Sequence, residues 1–138
     1  WERFASGTGL GRLGREAAEA GRLSSVVAAV GGDPDVVRGD ELTVAALDGD
    51  PEALAVFDVF AAWVAVGLAN LTNVLDPEAI VVGGGVLGAG DVLLDRVRSA
   101  FPGALYAGDR RRLPAIVPAE LGPAAGAIGA GLLAAERV

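Results

Sequence analysis

The sequence has no cysteine, no histidine and no methionine, and its eleven basic residues are all arginine, with no lysine. Without cysteine the chain can form no disulfide and offers no thiolate nucleophile, and without histidine it lacks an imidazole base and the usual nitrogen ligand of zinc. Any chemistry these residues perform must use carboxylates, hydroxyls, guanidiniums or the backbone. The absence of cysteine fits a cytoplasmic protein. With no methionine and a start at Trp1-Glu2-Arg3, the sequence reads as a piece of a longer chain. Basic blocks are also scarce: Arg110, Arg111 and Arg112 form the only dense cluster, and the formal charge is -7. Such a chain repels a phosphate backbone, so no contact with nucleic acid is expected from this segment.

What is present is apolar. Of 138 residues, 52% are hydrophobic, enough for one sizeable core and one domain over 1–138. Residues 2 to 20 read as a helix interrupted by Gly7, Gly9, Gly11 and Gly14. Gly31-Gly32-Asp33-Pro34 is a turn, and Thr43 is placed as the cap of a short helix that stops at Gly49. Asp50-Pro51 then combines a capping carboxylate with a proline whose missing N–H costs nothing at a helix start. Behind it, Ala53, Leu54, Phe57, Phe60, Ala61, Val64, Leu68, Leu71 and Leu75 recur at helical spacing for about six turns. The opposite side, with Ala55, Val59, Ala62, Val66 and Ala69, is also apolar, which predicts burial on more than one face. Val59 to Leu75 carries no charge, but that run is shorter than the roughly 20 residues of a membrane span and contains Asn70, Thr72 and Asn73. A core helix is the reading, with no membrane.

Ala79-Ile80-Val81-Val82 is a continuous apolar run, predicted as a strand buried on both faces. A helix from near Asp91 should face the core with Leu93, Leu94, Val97, Ala100 and Phe101, turning Arg96 and Arg98 away. A second strand is expected around Ala115 to Ala119, and Pro123 to Arg137 reads as a closely packed terminal helix. The class is α/β, helix-rich with a few strands.

Gly83-Gly84-Gly85 follows the first strand directly. Three glycines at the carboxyl end of a strand leave bare backbone where a flat ligand can approach, and ligands of open α/β sheets lie at that edge. A sharp turn that needs positive φ explains the same residues, and no Gly-Lys-Ser/Thr follows to make a phosphate loop. The acidic residues Asp33, Asp35, Asp50, Asp76 and Asp91 all sit at caps or turns, so none is assigned as a general base.

The run from Gly67-Leu68-Ala69-Asn70-Leu71-Thr72-Asn73-Val74-Leu75-Asp76-Pro77-Glu78 into Val81-Val82-Gly83-Gly84-Gly85 resembles the ROK family of sugar kinases and repressors, within the actin and hexokinase superfamily. Glu2-Arg3-Phe4-Ala5-Ser6-Gly7-Thr8-Gly9-Leu10 is similar to the stretch after that family's zinc cysteines. Pro118-Ala119-Glu120-Leu121-Gly122 through Ala130 is similar to its terminal helix. The likeness covers the chain in order and is strongest to actinobacterial-type glucokinases.

The resemblance implies the carboxy-terminal lobe of the actin/hexokinase-like, ribonuclease H-like ATPase fold, with the amino-terminal lobe, the catalytic aspartate and the zinc motif elsewhere in the complete protein. It implies ATP with Mg²⁺ as donor and glucose or a related hexose as acceptor. Glu2 would bind sugar hydroxyls, Gly83, Gly84 and Gly85 would lie under the adenosine, and Gly122 would shape the adjoining floor or serve as a loop glycine that permits close packing. Structural zinc belongs to the complete protein but is not ligated by this chain, and this fragment alone would be inactive. A homo-oligomer, dimer or tetramer, is implied as well. A sugar-responsive repressor of the same family, and an α/β interaction module without a small-molecule site, are the alternative readings. Arg110 to Arg112 are read as a solvated loop face, since the resemblance gives them no role.

Overall fold

A computed structural model describes residues 1–136. Six helices and two strands run in the order α1 (Gly7–Glu19), α2 (Ser24–Ala29), α3 (Gly39–Leu47), α4 (Pro51–Leu75), β1 (Ala79–Val82), α5 (Asp91–Ala104), β2 (Ala115–Pro118) and α6 (Ala125–Ala135). β1 and β2 are parallel, with Ala79 opposite Ala115 and Val82 opposite Pro118, and α5 is the crossover between them.

The long helix α4 is the hub. Asp50 caps it as the sequence demands: one carboxylate oxygen accepts from the N–H groups of Glu52 at 2.8 Å and Ala53 at 2.9 Å. The Ser25 hydroxyl donates to the other oxygen. These donors, Ser25 first and then Ala53, hold the Asp50 carboxyl below its ordinary pKa of 3.8. Because the folded-state value is the lower one, the stabilisation is complete above the ordinary carboxylate range and fades as pH falls through the folded value. In the complete protein, Asp50→Ala is expected to cost about 1 kcal/mol, the usual worth of a cap. The check is urea unfolding of parent and variant at neutral and acid pH, where the gap between them should narrow at acid pH.

Phe57 and Phe60 meet edge to face at 6.5 Å, and both are buried with Ala53, Ala61, Ala65 and Leu68. By length and apolarity α4 could cross a membrane, yet it lies against α1, α3 and α5 along this buried face. Leu71 and Leu75, expected in the core, are exposed, and so are Val59 and Val66 on the other side. Among the described residues the second apolar face is therefore left uncovered at Val59 and Val66, while Ala69 is buried.

Other expectations are corrected by packing. The glycines of α1 do not interrupt it: a Cβ at Gly9 would stand 2.8 Å from the Phe4 carbonyl oxygen, and one at Gly14 would stand 2.4 Å from Leu42, so these glycines admit close neighbours. Residues 1–6 form a turn ahead of α1, and Ser6 caps the helix through Gly9 N–H. Thr43 is inside α3 rather than at its start, bonding back to the Gly39 carbonyl at 2.8 Å, and Glu41 accepts from Arg38 N–H instead.

β1 is not buried on both faces. It has one neighbour, and Val81 is exposed. On α5, Leu93, Leu94, Val97 and Phe101 are buried as expected. Arg98, expected to turn away, instead donates from Nε and Nη2 to the Ile116 carbonyl at 3.0 and 2.9 Å, tying α5 to β2. The terminal helix is not closely packed among the described residues. No residue of α6 is buried, and a Cβ at Gly126 or Gly129 would meet nothing within 4 Å. The part of this expectation that falls on Arg137 lies outside the described residues.

Candidate functional site

The site is built at the carboxyl end of the sheet. Val82 accepts from Ala119 N–H at 2.8 Å, the last bond of the ladder, and Gly83 follows with room for contact only with Ala119. Gly84 turns the chain at φ +102°, a conformation that favours glycine. From there the backbone enters a short 3₁₀ turn, Gly85–Ala89, closed by Leu87 N–H to the Gly84 carbonyl at 3.2 Å. A Cβ at Gly84 or Gly85 would meet nothing within 4 Å, so the run is a side-chain-free floor beneath open space.

Gly85 lines a cleft of about 430 Å³ whose walls are the first turns of α1 and α3. The two helix starts approach backbone to backbone: a Cβ on Gly39 would be 3.4 Å from the Gly7 carbonyl, and one on Gly11 would be 3.4 Å from Gly39 N. Arg15 and Arg38 also border the cleft, with Asp40 the only carboxylate among its lining residues, and Arg15 donates to the Val37 carbonyl at 3.0 Å. Two helix amino termini and two guanidiniums around one carboxylate make a field that favours an anionic ligand. These walls were not legible in the sequence. The glycine spacing in α1 was their one signal, and it reads equally as helix weakness.

Gly122 shares the sheet end with Gly83. Its N–H donates to the Ala119 carbonyl at 3.3 Å and it adopts φ +52°, but it does not line the cleft. Glu2 also stands apart from the cleft, exposed in the turn before α1, and its carboxylate makes no hydrogen bond among the described residues. The residues flanking it are fixed to α4: Trp1 Nε1 donates to the Trp63 carbonyl at 2.8 Å, and the Phe4 ring stacks on Trp63 at 4.5 Å. The structure thus brings Gly85 of the glycine run to the cleft, leaves Gly83, Gly84 and Gly122 at the sheet edge, and places Glu2 separately.

Arg110 to Arg112 lie at the opposite end of the strands, where Ala115 N–H meets the Glu78 carbonyl. Arg111 pairs with Asp76 and Arg110 with Asp109, in keeping with a solvated loop face. A larger hollow of about 630 Å³ lies between α2 and α3, with Val26, Ala29 and Val44 among acidic side chains. It is far from the strand ends in chain order, and size alone does not mark a ligand site; the carboxyl edge of a parallel sheet does. Among the described residues no group of three His, Cys, Asp or Glu side chains converges as a metal ligand set.

The sequence profile of the ROK family matches residues 1–137. A glucokinase of Streptomyces coelicolor is 38% identical over 138 residues, an alignment covering 99% of this chain and 44% of that protein. The structure of a ROK family glucokinase from Streptomyces griseus, in complex with glucose and AMPPNP, superposes with a TM-score of 0.87 at 37% identity, over 96% of this chain and 43% of that one. A ROK hexokinase from Thermus thermophilus superposes with a TM-score of 0.62 at 31% identity, over 96% of this chain and 39% of that one. The chain therefore spans less than half the length of these relatives, and its fold is the actin/hexokinase-like one of ROK sugar kinases.

Proposed function

The chain belongs to the ROK family, and from that premise we propose that residues 1–138 are the carboxy-terminal lobe of a sugar kinase whose complete form moves the terminal phosphoryl group of ATP to the 6-hydroxyl of glucose. One observation carries this reading: the glycine run leaves a strand fed by a buried helix and ends, without side chains, at Gly85 on the border of a cleft walled by two helix starts. A purine and ribose fit such a floor, and the field of the cleft suits their phosphates. Gly83, Gly84 and Gly85 form the bed, Gly122 shapes its border at the same sheet end, and Glu2 accepts hydrogen bonds from sugar hydroxyls.

In the reaction the sugar oxygen forms a bond to the γ-phosphorus as the bond to the β,γ-bridging oxygen breaks, and ADP leaves. The hydroxyl proton passes to a carboxylate base expected outside this chain. Catalysis of this kind is mainly positioning and charge stabilisation, and these residues contribute the positioning. Mg²⁺ would travel with the nucleotide phosphates; no residue here is assigned to it or to zinc. The exposed Val74, Leu75, Val81, Leu132 and Leu133 support a lobe that further protein covers, either the second lobe or a second subunit.

The test is phosphoryl transfer by the complete protein, glucose plus ATP giving a sugar 6-phosphate and ADP; absence of transfer to any hexose overturns the reading. A variant then locates the nucleotide. Gly84→Val confounds two effects, because its positive φ strains any β-branched residue. Gly85→Val is cleaner, since its Cβ meets open space and projects over the floor. It is expected to raise the KM for ATP about fivefold with sugar affinity unchanged.

A further inference from the structure

Trp1 seats its indole at a position on α4 that admits only glycine. A Cβ at Gly67 would lie 2.0 to 2.3 Å from three atoms of the indole, whose Nε1 already donates to the Trp63 carbonyl at 2.8 Å. Gly67 is in mid-helix with no positive φ, where glycine is a poor helix former, so the conformation gives no reason for it and the contact does. On the other side of Glu2, Phe4 is stacked on Trp63 and covered by the Arg12 guanidinium at 5.2 Å from its ring centre. The backbone at Glu2 is thereby pinned to one stretch of α4 from both directions, while its own carboxylate is left without a protein partner among the described residues.

We propose that Gly67 is a positioning residue of the sugar site: by accepting the Trp1 ring against bare backbone it sets where the Glu2 carboxylate stands. This rests on the reading of Glu2 as a sugar ligand. Gly67 is buried on α4 beneath the indole, while Trp1 and Trp63 themselves remain exposed, so the contact sits where the core meets the surface. A methyl group at 67 must push the indole away, and the displacement passes to the adjacent residue.

The experiment is a double-mutant cycle in the complete protein. Gly67→Ala should raise the KM for sugar about fivefold, with kcat and the KM for ATP within about twofold, and should add nothing further when Glu2 is already glutamine. Indole fluorescence should shift in both backgrounds, since Trp1 and Trp63 are the two tryptophans of the chain. An unchanged sugar KM in Gly67→Ala, where Glu2→Gln alone raises it, overturns the positioning role and leaves Glu2 in place. An equal rise in both backgrounds also overturns it, because a general loss of structure does not depend on Glu2. If Glu2→Gln itself has no effect, the ligand reading fails and the inference with it. Should Gly67→Ala not fold, Trp1→Phe removes the N–H bond without a collision and must give the same pattern at about threefold.

Discussion

Glu2→Gln in the complete protein is expected to raise the KM for sugar by ten- to about a hundredfold, while the KM for ATP stays where it was. The side chains are nearly the same shape, so the change isolates the charge. An ionised carboxylate accepts hydroxyl donors through both oxygens, and each charge-assisted bond is worth about 1.5 to 3 kcal/mol. Glutamine keeps one acceptor and turns the other into a donor, which a sugar hydroxyl must rotate to meet. Glu2 is exposed and its carboxylate makes no bond among the described residues, so the substitution leaves none of them unpaired and stability should not change. If the contact is equal in ground and transition states, kcat is preserved. A sugar KM within twofold of the parent at full activity removes Glu2 from the site.

Phe57→Ala is the larger effect on folding, an expected loss of about 3 to 5 kcal/mol. Phe57 is fully buried, touches Phe60 edge to face, and sits on the helix against which α1, α3 and α5 pack. Removing the ring leaves a hole in the buried face of α4, the helix that α1, α3 and α5 all pack against. The measurement is the urea midpoint at unchanged slope, with Val44→Ala as control because that side chain is exposed and should change stability by less than about 0.5 kcal/mol. Equal midpoints for Phe57→Ala and Val44→Ala would contradict the placement of the core.

The helix α4 was legible because its signals agree: a capping aspartate, proline at the first turn and a long run of apolar residues at one period. The β–α–β–α order after it was legible for the same reason, as was the side of α5 that faces inward. Burial was less so. Hydropathy says that Val81, Leu75 and Leu132 seek cover but not where it comes from, and among the described residues all three are exposed. α2 is too short for a period to register, and Thr43 offers its hydroxyl to the backbone equally well from inside a helix as from its start. At the site, the exit of β1 was readable because strand and glycines are adjacent in sequence. The opposing walls, Gly7 and Gly11 against Gly39, are adjacent only in space. The same holds for Gly67, whose reason for being glycine lies at Trp1, on the far side of three intervening helices in the chain.

The parallel pairing of Ala79 with Ala115 also makes the sheet a long-range contact. An antiparallel strand can pair across a tight turn, whereas β1 and β2 are joined through the whole of α5, which runs back along α4. The pairing is non-local, so the direction of the glycine exit depends on a contact that the whole of α5 separates in sequence. The course of the chain at Gly83 to Gly85 is thus set by residues far downstream as much as by the strand that leads into it.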